Sequence, residues 1–200
     1  MVKYPDKLQK LIESFKKYPG IGPKNAERLA FYTIMNLKKE DALVFSENIV
    51  SSVNSIKKCS VCGMITENDV CDICVDNERE KKLMIVESVR DVMAFEKTNF
   101  YKGKYHVLEG LISPLEGINP DDIKINELIN RVKEEKIKEI ILALNLSMEG
   151  ETTSLYIIKM LEGMDVSITK IAAGIPVGAD MEYLDSLTIQ KALEGRIKVE

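Results

Sequence analysis

From Asp6 to Lys17 apolar residues recur at helical spacing, at Leu8, Leu11, Ile12 and Phe15, with Lys7, Lys10, Lys16 and Lys17 on the other face. The pattern predicts an amphipathic helix that stops at Tyr18-Pro19-Gly20-Ile21-Gly22-Pro23. A second helix starts near Lys24 and carries Ala26, Leu29, Ala30 and Ile34 inward. A third runs from about Glu40 to Lys57 through Leu43, Val44, Ile49, Val50 and Val53. Residues 1–58 therefore read as an all-helical domain whose local unit is helix, glycine hairpin, helix.

Beyond residue 82 the period changes. Leu83 to Glu87 reads as a buried strand, Val89 to Glu96 as a helix, and Tyr105 to Leu108 as a strand. The alternation continues with a helix over Ile125 to Lys136, a strand over Glu139 to Leu144, a helix over Glu151 to Gly163 and a strand over Val166 to Ala172. Strands alternating with crossover helices imply a parallel sheet with helices on both faces, here over residues 82–177. After Gly174-Ile175-Pro176-Val177-Gly178, residues 178–200 form a short segment with a helix from about Tyr183 to Leu193. The expected class is thus α/β multidomain, with no internal repeat and no low-complexity tract.

Between the two patterns lie all four cysteines of the chain, Cys59, Cys62, Cys71 and Cys74. Two Cys-x-x-Cys turns separated by eight residues aim four thiolates at one point, the closed tetrahedral shell of structural Zn²⁺. A closed shell leaves no place for water, so the metal would hold the fold of residues 59–74 and perform no chemistry. The alternatives are two disulfides or four unrelated thiols. Gly63 suits the φ > 0 position of a metal-binding turn, and Asp69, Asp72 and Asp76 make the knob acidic, which argues against it as a nucleic-acid contact.

With 200 residues, 45% hydrophobic and 30% charged, the chain is long enough for a real core. No apolar run approaches the length needed to cross a bilayer, and nothing resembling a secretory leader precedes the first helix. A soluble, cytoplasmic protein in a reducing compartment is expected. The net charge of −4 hides an asymmetry: residues 1–58 hold eleven Lys and Arg against six Asp and Glu, a balance of +5. That charge surrounds the hairpin. Gly20 and Gly22 let backbone N–H groups approach a phosphate closely, the following helix adds its positive end, and Lys24 with Arg28 one turn later supply full charges. These are means of holding a nucleic-acid backbone without reading its sequence. A plain turn with solvated lysines is the bland alternative.

Pro-Gly-Ile-Gly-Pro-Lys at residues 19–24, with Ala26, Arg28 and Leu29, resembles the helix-hairpin-helix of the RecR family of bacterial recombination mediators. The four-cysteine motif follows at the expected distance, and the stretches at Tyr105–Gly110, Ser113–Ile118, Glu149–Glu151 and Gly174–Gly178 resemble that family in the same order. The resemblance implies a Toprim domain from about 82 to 177, a ring-shaped oligomer, taken as tetrameric, and DNA repair with the partners RecO and RecF. It implies DNA, single-stranded and gapped duplex, as the ligand of the hairpin.

Catalytic Toprim proteins hold Mg²⁺ with a glutamate after the first strand and an Asp-x-Asp pair after a later one. Here Glu87 is present, but Asn145 and Ser147 stand at the acidic pair, which leaves Glu87, Glu149 and Glu151 as few charged ligands for a hard cation. Leu146 also departs from the family, in which a proline follows this asparagine. His106, the only histidine, reads as a packed or surface residue, and no phosphate-cradling Gly-x-x-x-x-Gly-Lys-Ser/Thr loop is present. A non-enzymatic scaffold is therefore expected, with Glu87, Asp91, Glu149 and Glu151 as a docking surface for a basic partner. Its rival is a Mg²⁺-dependent phosphoryl-transfer enzyme, nuclease or topoisomerase-like, on the same sheet.

Overall fold

The computed structural model describes residues 4–198. The chain divides into two compact units, the first ending at Ile56 and the second beginning at Lys57.

The first unit contains α1 (Asp6–Phe15), α2 (Pro23–Met35) and α3 (Lys39–Ser55). Its core is small: Leu8 and Ile12 of α1 meet Ala26 and Ala30 of α2, with Tyr4, Leu11, Phe15 and Ile21 around them. The alanines matter because a side chain that ends at Cβ lets two helices approach closely. Tyr4 closes one end by donating to Glu27, its ring edge-on to Phe31 with centroids 5.6 Å apart. One expectation fails here, the inward placement of Ile34. Ile34 is exposed, and the apolar residues Leu43, Val44, Ile49, Val50 and Val53 of α3 all face outward, with no residue of that helix buried. Their periodicity predicted the helix correctly, but none of these residues is buried.

The second unit opens with Lys57 and Lys58, which form strand β1 (Lys57–Lys58), paired antiparallel with β2 (Ile65–Thr66); the short α4 (Asp72–Val75) follows. The sheet strands are β3 (Lys82–Val86), β4 (Lys104–Val107), β5 (Glu139–Leu142) and β6 (Ser167–Lys170). Between them come α5 (Val89–Lys97), α6 (Ile125–Glu135) and α7 (Met148–Met160), and α8 (Ser186–Glu194) lies beyond the sheet. All pairs are parallel in the order β4-β3-β5-β6, with Met84 opposite Tyr105 and Ile141, so β4 and β6 are edges. Helix α7 starts at Met148, three residues before the periodicity places it, because Ser147 caps it by accepting from Gly150 N.

Strand alternation sorts two cores. Leu83 and Ile85 of β3 and Ile140 and Leu142 of β5 face α6 and α7 through Leu128, Ile129, Val132, Ile157 and Leu161. The opposite face carries Met84, Val86, Tyr105 and Val107 against Val92 of α5, and the rest of its cover is the four cysteines with Met64. Helices lie on both faces as predicted, but on the second face the cysteine knob stands where another helix would pack.

His106 points to the first face and is 1% exposed. Its Nε2 donates to Lys124 O at 2.7 Å, and Nδ1 has no partner. Burial, above all, pushes its pKa down to about 4, with the bond to Lys124 O opposing. The unfolded chain, near 6.5, therefore binds the proton more readily than the folded one, so stability contributed by His106 is complete above about pH 6.5 and is lost as pH falls toward 4. The loss amounts to about 3 kcal/mol at the acid end. Urea unfolding between pH 7 and pH 4 should show a weaker acid dependence in His106→Gln than in wild type; identical slopes would remove His106 as the cause.

Candidate functional site

At the helical unit, Gly20 adopts φ +79°, a backbone region that L side chains rarely enter, and Ile21 N closes the turn on Tyr18 O at 3.1 Å. Gly22 is the N-cap of α2 and Pro23 its first residue. No side chain caps this end, so the N–H groups of Lys24 and Asn25 remain available beside the positive end of the helix. A Cβ at Gly20 or Gly22 would meet nothing within 4 Å, which describes an open surface. Lys24 and Arg28 are both exposed and, among the described residues, neither forms an ion pair. Gly20, Gly22, Lys24 and Arg28 thus lie along one hairpin and the first turns of its helix. The arrangement can accept an anionic backbone from solvent.

In the sheet unit the four cysteines converge: their sulfurs all lie within 4.8 Å of one another, with Cys62 and Cys71 3.5 Å apart. A tetrahedral zinc with ~2.3 Å bonds places sulfurs about 3.8 Å apart. The thiols are buried and unbridged. Bonds from Cys62 and Cys74 pull the Cys71 thiol down, while bonds to their neighbours push Cys62 and Cys74 up, so crowding the four sulfurs opposes their joint ionisation and a cation among them would favour it. Backbone donors aim at the same sulfurs, Cys71 N to Cys59 Sγ at 3.3 Å and Met64 N to Cys62 Sγ at 3.4 Å. Gly63, at φ +79°, lies so close to Val107 that a Cβ would come within 3.2 Å of that side chain. The donor set fits a four-coordinate metal.

The knob is fastened to the edge strand. Val107 N donates to Cys62 O at 2.9 Å, Lys104 Nζ to Cys74 O at 2.8 Å, and Lys58 pairs with Glu109. The chain leaving the knob is clamped by Arg79, whose fork holds Glu96 at 2.7 and 3.0 Å while Nη1 also reaches Gly103 O at 2.8 Å.

Acids at the C-terminal ends of the strands are engaged in other contacts. Glu87 Oε2 accepts from Asn145 Nδ2 at 2.7 Å, and Ser147 caps α7. Asp91 Oδ2 accepts from Ser88 N at 2.8 Å and from Ser88 Oγ at 2.9 Å, closing the start of α5. Glu151 pairs with Lys170 at 2.5 Å. Glu149 is held below the usual carboxylate range by its own backbone N–H and by Ser147. Among the described residues only the cysteines gather closely enough to hold a metal, so Glu87, Asp91, Glu149 and Glu151 do not form a cation cluster. Sequence reasoning missed Gly150, whose added Cβ would fall 1.9 Å from Asn145 O. Only a glycine lets α7 begin against that carbonyl and leave the Asn145 amide aimed at Glu87.

Comparison with known proteins gives four family matches in chain order. They are the RecR helix-hairpin-helix over residues 8–53, the RecR four-cysteine zinc finger domain over 56–76, a Toprim domain over 81–172 and the RecR C-terminal region over 174–197. Among similar proteins, the recombination protein RecR of Staphylococcus haemolyticus is 48% identical across 98% of this chain and 99% of its own length. The proteins of the same name from Staphylococcus saprophyticus and Staphylococcus aureus are each 47% identical over the same shares.

Replacing Gly150 with alanine should force Asn145 to shift and cost about 1–3 kcal/mol, as overpacking does. A denaturant midpoint unchanged from wild type would show that the Asn145 loop yields without resistance.

Proposed function

The chain belongs to the RecR family of recombination proteins, and from that membership we propose that it is a non-enzymatic DNA-binding scaffold in recombinational DNA repair. The observation that carries this reading is the hairpin: an uncapped helix start, two glycines open to solvent, and two exposed cations free of carboxylates along it. Gly20 and Gly22 admit the phosphate, and Lys24 and Arg28 neutralise it. Single-stranded and gapped duplex DNA are the proposed ligands.

One hairpin makes few phosphate contacts and binds weakly, so affinity has to come from several copies held together. The proposed assembly is a homo-oligomeric ring, as in the family resemblance. The outward apolar residues of α3, with Val53 77% exposed, support it, since a lone soluble helix rarely leaves such a stripe to water. The cysteine centre is read as structural zinc, which suits thiols kept reduced in the cytoplasm; among the described residues no helix is long and apolar enough to cross a membrane. RecO and RecF are the proposed partners in loading recombinase onto single-stranded DNA. Glu87, Asp91, Glu149 and Glu151 are the proposed docking acids, although Asp91 also holds α5.

The phosphoryl-transfer alternative is disfavoured by chemistry at Glu87. Its carboxylate accepts from a neutral amide where an enzyme would supply a second anionic ligand.

Fluorescence anisotropy on gapped duplex across a salt series tests the hairpin. The double variant Lys24→Ala/Arg28→Ala should bind more weakly at every salt concentration, with a salt slope lower by roughly 2 for each protomer engaged. Equal slopes and affinities in both proteins would move the DNA site elsewhere. Incubation of supercoiled DNA with Mg²⁺ or Mn²⁺ should leave it intact, and cleavage or relaxation that depends on Glu87 would replace the scaffold with the enzyme.

A further inference from the structure

Arg131 is a full charge in the interior, 5% exposed, and neither the hairpin nor the acidic surface uses it. Its guanidinium reaches three ways from α6. Nε donates to Glu135 Oε1 at 2.6 Å, Nη1 to the carbonyl of Tyr105 at 2.6 Å, and Nη2 meets Cys74 Sγ at 4.0 Å. A buried cation needs opposite charge close by. Glu135 supplies one negative charge on the Nε side, from a half-buried position. On the Nη2 side the group faces sulfur.

Four neutral thiols would give that side little, whereas four thiolates around a divalent cation carry two net negative charges. The remaining contacts of the cluster single out Cys74. Cys59 and Cys62 accept from backbone N–H groups inside the knob, and Cys71 meets Cys62. Among the described residues, Cys74 alone has a sulfur that meets a charged donor, and that donor lies 57 positions away in the sheet's covering helix. A second cation, Lys104, grips the same residue through its carbonyl.

We propose that Arg131 is the outer-sphere partner of the metal centre, a positioning residue that bonds the Cys74 thiolate and the edge carbonyl of Tyr105 together. It raises the affinity of the centre for metal, and it makes the seating of α6 against β4 depend on whether metal is bound. The planar fork is essential, because it serves three acceptors in fixed directions where an ammonium offers a single point charge. The inference rests on the zinc reading of the cysteines.

Full-length wild type, Arg131→Met and Arg131→Lys would be compared by zinc competition against a chromogenic chelator, and by the absorption spectrum after Co²⁺ replaces zinc. Wild type should hold about one zinc per chain, with affinity about 10- to 100-fold above that of Arg131→Met, the usual effect of losing an outer-sphere partner. Arg131→Lys should fall below wild type as well. The thiolate-to-Co²⁺ charge-transfer band should move to lower energy in Arg131→Met, because a charged donor no longer stabilises the sulfur lone pairs. Unchanged zinc affinity with an unmoved band overturns the proposal even if the variants melt earlier, since that combination describes a purely structural arginine. Should Arg131→Met fail to fold, Arg131→Lys decides by the same two readouts. A wild-type chain that takes up no zinc defeats the metal reading, a different result from zinc held equally by all three proteins.

Discussion

The free edge of β4 is the constraint around which the sheet unit is arranged. An edge strand presents backbone N–H and C=O groups with no neighbour, and a short four-stranded sheet cannot leave them and half of one face bare. Val107 N finds Cys62 O, Tyr105 O finds Arg131, and Met84, Val86, Tyr105 and Val107 find the cysteine knob as their apolar cover. A sixteen-residue segment from Cys59 to Cys74 has little apolar surface with which to fold by itself, and its four cysteines are placed to hold a metal that would supply the rest. Structural zinc contributes about 10–16 kcal/mol in small fingers, comparable with the roughly 5–15 kcal/mol that separates a folded domain from its unfolded chain. A zinc bound by the proposed centre would act within the sheet's own core, because the four cysteines pack against Met84, Val86, Tyr105 and Val107.

At the opposite rim of the sheet the polar side chains are tied to one another. Where two carboxylates would gather a cation, an amide bonds Glu87 and a hydroxyl caps α7, so both polar groups are consumed in holding the loop. Gly150 completes the arrangement by letting the helix start directly against Asn145 O. Charge at this rim, on Glu149 and Glu151, is held by local bonds and an ion pair; in the proposed scaffold it would steer a basic partner.

What could be read from the chain follows from how local each signal is. The cysteine spacing, the glycine hairpin and the 3.6- and 2-residue periods are written within a few residues, and they led to the helices, the parallel strands and the cluster. Strand ends shifted by one or two residues, as at Leu142 and Lys170, because backbone pairing with the neighbour ends there while the apolar run continues. The outward stripe of α3 was not legible, since periodicity reports an apolar face but not what covers it. His106 left two readings open that only burial separates. Arg131 gave no local sign at all. In sequence it is one more charge on an amphipathic helix between Leu128 and Val132, and only the fold places it beside Cys74 and Tyr105.

The most direct test of the metal's place in the sheet core is amide hydrogen exchange on the full-length protein, zinc-bound and after chelation. If the knob secures the edge strand, chelation should strip protection from Tyr105 to Val107 of β4 and from α6 as well as from residues 57–76. If lost protection stops at residue 76 while β4 and α6 exchange as before, the metal serves the knob alone and the edge is held without it.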